Sequence, residues 1–281
     1  MTIFFRFPSC FGLYLVNIPI NSPIYLVILK YHSIFFFRDE MIHPRIILLS
    51  NSKLHNEDFF EWCTDTLKSF FQKSKVKKLL FVPYASRDYD GYVQKVEPAL
   101  AKLGFEMESI HVKPDPVAAV YASQGIFIGG GNTFLLLKTL YDNKLIEPIR
   151  DCVLNKGIPY MGSSAGTNVA TRSINTTNDM PICMPPSFEA LKLVPFNINP
   201  HYIDTDANST HMGETREMRI KEFLDEPDCA PVVALREGSG LTIEDGKITL
   251  FGKKYARFFK RGQDPVEYEP GSDLSFLLNT S

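Results

Sequence analysis

Residues Gly162-Ser163-Ser164-Ala165-Gly166 put a hydroxyl between two glycines, directly after the apolar run Ile158-Pro159-Tyr160-Met161. G-x-S-x-G in that context reads as a sharp strand-to-helix turn with Ser164 at its apex. The glycines permit the tight turn, and the Ala165 amide would lie at a helix start, where it can stabilise an oxyanion. A serine hydroxyl needs a base to become nucleophilic near neutral pH. After residue 40 the chain has five histidines, at 43, 55, 111, 201 and 211. Of these, His201 follows a strand-like run ending at Ile198, the place where open α/β sheets carry their sites. Asp179, in the polar stretch Thr176–Pro181, offers an orienting carboxylate and gives the chain order Ser, Asp, His. Its bland alternative is a turn residue before Pro181.

A second glycine-rich turn, Gly129-Gly130-Gly131-Asn132-Thr133, follows the short run Ile126–Ile128. It lacks the G-x-G-x-x-G spacing and a Walker lysine, which argues against a nucleotide. Its amides suit an oxyanion or a substrate carboxylate, so Gly131 and Asn132 join Ala165 as candidate substrate-binding residues. No HExxH motif and no Cys/His ligand spacing point to a metal.

The elements that must hold these residues alternate. Arg45–Ser50, Lys78–Val82, Glu108–Val112, Gly125–Ile128 and Ile158–Met161 read as short strands. Between them, Asp58–Lys73, Tyr92–Leu103, Val117–Tyr121, Thr133–Tyr141 and Ile146–Leu154 carry helical spacing. This rhythm predicts an α/β fold, a mostly parallel sheet with helices on both faces. Leu241–Leu250 alternates around Asp245-Gly246, a type I′ hairpin signal, so an antiparallel C-terminal edge is expected.

The 281 residues, 44% hydrophobic and 22% charged, are enough for one large domain. A formal charge of −2 carries no basic excess of the kind a general nucleic-acid binder shows. Five scattered cysteines without a CxxC pair suit a reducing cytosol, so the expected location is cytoplasmic. Residues 1–40 differ from the rest: seven of the 22 phenylalanines lie there, and Phe7–Leu29 is uncharged. Pro19 and Pro23 interrupt that span, which argues against a membrane helix. The expected organisation is a hydrophobic extension over 1–40 and a single α/β domain over 41–281.

Six stretches, in order, resemble the aspartyl dipeptidase (peptidase E) family: Leu48–Ser52, Gly129–Phe134, Ser164–Gly166, Thr176–Ile182, Ile198–His201 and Gly213–Arg216. The resemblance covers roughly residues 45–240 and implies a serine peptidase with a class I glutamine amidotransferase-like fold. It implies Ser164 as nucleophile, His201 as base and Asp179 as its orienter, with Glu237 of Arg236-Glu237-Gly238 as a rival for the third place. The implied substrates are dipeptides with N-terminal aspartate, cleaved without metal or cofactor. Arg216 would read the aspartate side chain, although spacing alone favours an ion pair with Glu214 or Glu217. Two other readings stay open, a cyanophycinase-like hydrolase and a binding homologue without turnover. The oligomeric state stays open too, a homodimer included.

Overall fold

The computed structural model describes residues 2–5, 14–17, 43–206, 208, 210 and 212–279. The chain divides into two compact units, Met1–Ile42 and His43–Ser281. In the first, strands β1 (Thr2–Phe5) and β2 (Tyr14–Asn17) pair antiparallel, with Thr2 opposite Asn17. The rest of the 1–40 extension lies outside the described residues, so of the span Phe7–Leu29 only Tyr14–Asn17 is described, as a strand.

The second unit begins with β3 (Ile46–Leu49), α1 (Thr64–Lys73), β4 (Lys78–Val82), α2 (Tyr89–Leu103) and β5 (Glu106–Ser109). It continues through α3 (Pro116–Tyr121), β6 (Ile126–Ile128), α4 (Thr133–Asp142), α5 (Ile146–Arg150), β7 (Tyr160–Ser163) and α6 (Ala165–Val169). Local chemistry sets the helix starts. Asp88, Asp115 and Asn132 each accept an amide from the first turn of α2, α3 and α4. Gly104, at φ +90°, closes α2. Strands β3, β7, β6, β4 and β5 lie side by side in parallel.

Period-two alternation divides the core between the sheet's two faces. Ile46, Leu48, Leu80, Val82, Ile126, Ile128 and Tyr160 pack on one side with Leu136, Leu140 and Val169. Ile47, Leu49, Leu79, Phe81, Phe127 and Met161 pack on the other with Leu67, Phe71 and Val96. Burying a large apolar side chain such as Phe81 or Phe127 contributes roughly 1.5–3 kcal/mol.

After β8 (Asn197–Asn199), α7 (Arg216–Asp225) and β9 (Val232–Leu235) comes the expected hairpin, β10 (Ser239–Glu244) and β11 (Lys247–Gly252). Its turn residues Asp245 and Gly246 both have positive φ, and β10 pairs antiparallel with β3 to finish the seven-stranded sheet. Strands β12 (Ala256–Phe259) and β13 (Val266–Tyr268) follow. Together with β8 and β9 they form a second, four-stranded sheet, ordered β13-β12-β9-β8. The sequence patterns did not foretell this sheet, because β8 and β13 have only three residues each and show little periodicity. Among the described residues no helix is long and apolar enough to cross a membrane.

Candidate active site

Strand β7 delivers Ser164 at φ +52°, ψ −108°, a conformation L-residues rarely adopt. The surrounding backbone imposes it. Ser164 N donates to Leu49 O at 3.1 Å, and Thr167 Oγ1 donates to Leu49 O at 2.7 Å and to Gly162 O at 3.0 Å. Only glycine fits on either side. A Cβ on Gly162 would stand 2.5 Å from Gly166 O, and one on Gly166 would stand 2.1 Å from Ile128 O. The glycines therefore serve close backbone approach, and the hydroxyl is held clear of the sheet.

His201 follows β8 at φ +53° and meets this hydroxyl: Nε2 lies 2.8 Å from Ser164 Oγ. Its Nδ1 lies 2.7 Å from Glu237 Oε1. A carboxylate only accepts, so Nδ1 donates and Nε2 is left to accept the serine proton. Glu237 sits in the turn after β9, next to β8 in the same sheet, so parallel strand ends bring base and carboxylate together. Asp179 does not fill the orienting position expected for it. Its Oδ2 accepts the Thr133 amide at 2.7 Å, at the N-terminus of α4, while Glu237 occupies Nδ1 of His201. The helix start attracts that carboxylate through its unsatisfied amides and their partial positive charge.

The other expected residues divide. Arg216 is the first residue of α7, after the capping Thr215. Burial lowers its pKa first, Arg219 adds to this, and the charge of Asp179 works against it. The acids that were its ion-pair alternatives are engaged elsewhere: Glu214 with Arg219 at 3.5 Å, Glu217 with Arg257 at 3.0 Å and Lys221 at 2.7 Å. Arg216, its guanidinium unpaired among the described residues, lines a cavity of about 460 Å³ with Asp204, Asp206 and Glu214, and Ser164, His201 and Glu237 are not in that lining. Asn132 is occupied structurally, since Oδ1 accepts Leu135 N at 3.0 Å and Nδ2 donates to Met180 O at 2.8 Å. Gly131, at φ +133°, turns the chain there. The residue of that turn that lies against the serine is Gly130, whose Cβ would stand 3.1 Å from Ser164 Cβ. Ala165 N belongs to the first residue of α6 and has no acceptor within its own helix.

The family model described as peptidase family S51 matches residues 46–251. The chain belongs to peptidase family S51. The S51 chain is 52% identical over 233 residues to a Drosophila melanogaster protein named "Probable alpha-aspartyl dipeptidase", covering 83% of this chain and 97% of the relative. It is 50% identical over 234 residues to a "Peptidase E" of Streptomyces coelicolor, covering 83% and 95%. The crystal structure of a peptidase from an acI-B1 Actinobacterium superposes with a TM-score of 0.64 at 18% identity, over 84% of this chain and 98% of that one. At that identity the likeness speaks for the fold.

Sequence reasoning gave no role to the loop after β3, yet in this S51 chain it binds three parts of the site. Ser50 Oγ accepts His201 N at 2.9 Å and donates to Leu235 O at 2.9 Å. Asn51 Oδ1 accepts Gly238 N at 2.8 Å, and Ser52 Oγ lies 2.7 Å from Ser163 Oγ. Leu48–Ser52 was one of the family-like stretches, but a small-polar run at a strand end does not itself disclose what each side chain binds.

Proposed function

We propose that this S51 peptidase is a serine-type aspartyl dipeptidase, hydrolysing dipeptides with N-terminal aspartate through an acyl-enzyme. The observation that carries the reading is the line from Ser164 Oγ through His201 to Glu237, set on a strained elbow. His201 Nε2 takes the serine proton as Oγ attacks the scissile carbonyl, and Glu237 stabilises the resulting imidazolium. The same proton then passes to the leaving amine, which departs and leaves an aspartyl ester on Ser164. Water, deprotonated by His201, attacks that ester and returns the serine hydroxyl. The Ala165 amide, beside the nucleophile, is the donor assigned to the oxyanion. The name of the Drosophila melanogaster relative, "Probable alpha-aspartyl dipeptidase", supports the aspartyl substrate.

The guanidinium of Arg216, unpaired among the described residues, is the group assigned to the aspartate side chain, because its fork matches both carboxylate oxygens. Asp-Leu should be hydrolysed faster than Glu-Leu, Asn-Leu or N-acetylated Asp-Leu, and Ser164→Ala should lose on the order of 10⁴-fold or more in kcat. Arg216→Ala should lose roughly two to three decades in kcat/KM for Asp-Leu and most of the preference over Asn-Leu. Wild-type-like turnover by Ser164→Ala would remove the serine mechanism. Undiminished Asp/Asn discrimination by Arg216→Ala would assign specificity to another cation.

A further inference from the structure

Glu237 reaches His201 although its own side chain is 54% exposed, and that of His201 is 38% exposed. A half-exposed hydrogen bond of this kind contributes only about 0.5–1.5 kcal/mol, too little to hold its own geometry against side-chain entropy. Its position must come from its chain neighbours. Behind it, Gly238 N is bound to the buried Asn51. Ahead of it stands Arg236, a side chain only 17% exposed.

All five N–H groups of the Arg236 guanidinium are engaged. Nε and Nη2 donate to the two oxygens of Asp204 at 2.7 and 2.6 Å. Nη1 and Nη2 donate to the two oxygens of Glu267 at 2.8 and 2.9 Å, and Nη1 also reaches Tyr255 O at 3.0 Å. The guanidinium lies over the ring of Tyr202, 5.5 Å from its centroid. Asp204 and Tyr202 belong to the segment that carries His201, and Tyr202 N donates to Leu235 O at 3.0 Å. One side chain therefore ties the His201 segment to the turn bearing Glu237, and both to β13. Only arginine has the five coplanar donors that match this set; lysine would offer three from a single point. Saturation also separates Arg236 from Arg216, since the first has no donor left for a substrate.

We propose that Arg236 is a positioning residue for catalysis, which sets Glu237 in register with His201 by gripping Asp204 and Glu267. The proposal rests on the Ser164–His201–Glu237 reading of the reaction, and its test separates the two. In the full-length chain, Arg236→Lys and Asp204→Asn should each lower kcat for Asp-Leu by roughly 10- to 100-fold, the scale of a small misplacement in an active site. KM should stay within about twofold. In a Glu237→Gln background the same substitutions should change kcat less than about twofold, because the group they position no longer acts.

A second measurement needs no substrate. The downfield proton resonance of the His201 Nδ1–H, identified by its absence in His201→Ala, should be present in the parent and in Ser164→Ala. It should be lost or moved upfield in Arg236→Lys and Asp204→Asn. Should Arg236→Lys fail to fold, Asp204→Asn decides by both readouts. Full additivity with Glu237→Gln, or an unchanged resonance in the folded variants, overturns the positioning role. A parent inactive on Asp-Leu whose resonance still responds to both substitutions would overturn the substrate reading and leave the positioning role standing.

Discussion

In the proposed mechanism, the orienting carboxylate is assigned by where Asp179 and Glu237 find their hydrogen bonds. Asp179 has the Thr133 amide, and Glu237 has His201 Nδ1. Glu237→Gln should therefore lower kcat by roughly 10²- to 10⁴-fold, by leaving the imidazolium without a countercharge. Asp179→Asn keeps an oxygen for Thr133 N, so its kcat should fall much less. Its main effect is expected on KM, through the charge that Asp179 places near Arg216. Steady-state kinetics on Asp-Leu check both, and the reverse ranking of the two kcat values would return the role to Asp179.

Elements meet at the site through strand ends. The elbow after β7 is pressed between β3 and β6, where Leu49 O and Ile128 O face the turn. Gly166→Ala would drive a Cβ to 2.1 Å from Ile128 O, so strand or helix must shift. A rigid backbone neighbour cannot yield as a flexible side chain does. The expected cost is roughly 2–3 kcal/mol, the scale of overpacking, read as a lower urea midpoint at unchanged m. Activity should fall further than stability, because Ser164 moves with the turn. A Gly166→Ala variant with parental midpoint and rate would show that the turn has room to spare.

At the scale of the molecule, the network around Arg236 couples stability to pH. The hydrogen bonds from Arg236 hold the Asp204 carboxyl below its ordinary value of 3.8, against a smaller opposing effect of burial. A carboxyl depressed in the folded state contributes stability that is complete above its unfolded pKa and disappears as pH falls through the folded one. The gap in stability between parent and Asp204→Asn should therefore be full at neutral pH and shrink below about pH 4. Equilibrium urea unfolding at several pH values measures it, and a gap independent of pH would contradict the linkage. The family match, residues 46–251, begins after the extension, and the site residues follow it as well. A chain starting at Met41 should therefore stay folded and hydrolyse Asp-Leu at a parental rate. Loss of either would give residues 1–40 a part in the body.

Local patterns were enough to determine the α/β rhythm, the elbow and the hairpin. Each depends on spacing within a few residues: G-x-S-x-G for the turn, Asp245-Gly246 for the hairpin, short continuous apolar runs for strands buried on both faces. The meeting of Ser164 and His201 was legible for the same reason, both being polar residues at strand ends. The choice between Asp179 and Glu237 was not. It depends on β8 and β9 lying side by side, a pairing between segments about 35 residues apart that no local periodicity encodes. That Arg216 is unpaired among the described residues likewise depends on Arg257, far away in sequence, reaching Glu217, and on Arg219 taking Glu214. Charge pairing is set by distance in space, and sequence spacing constrains it only along a single helix or strand.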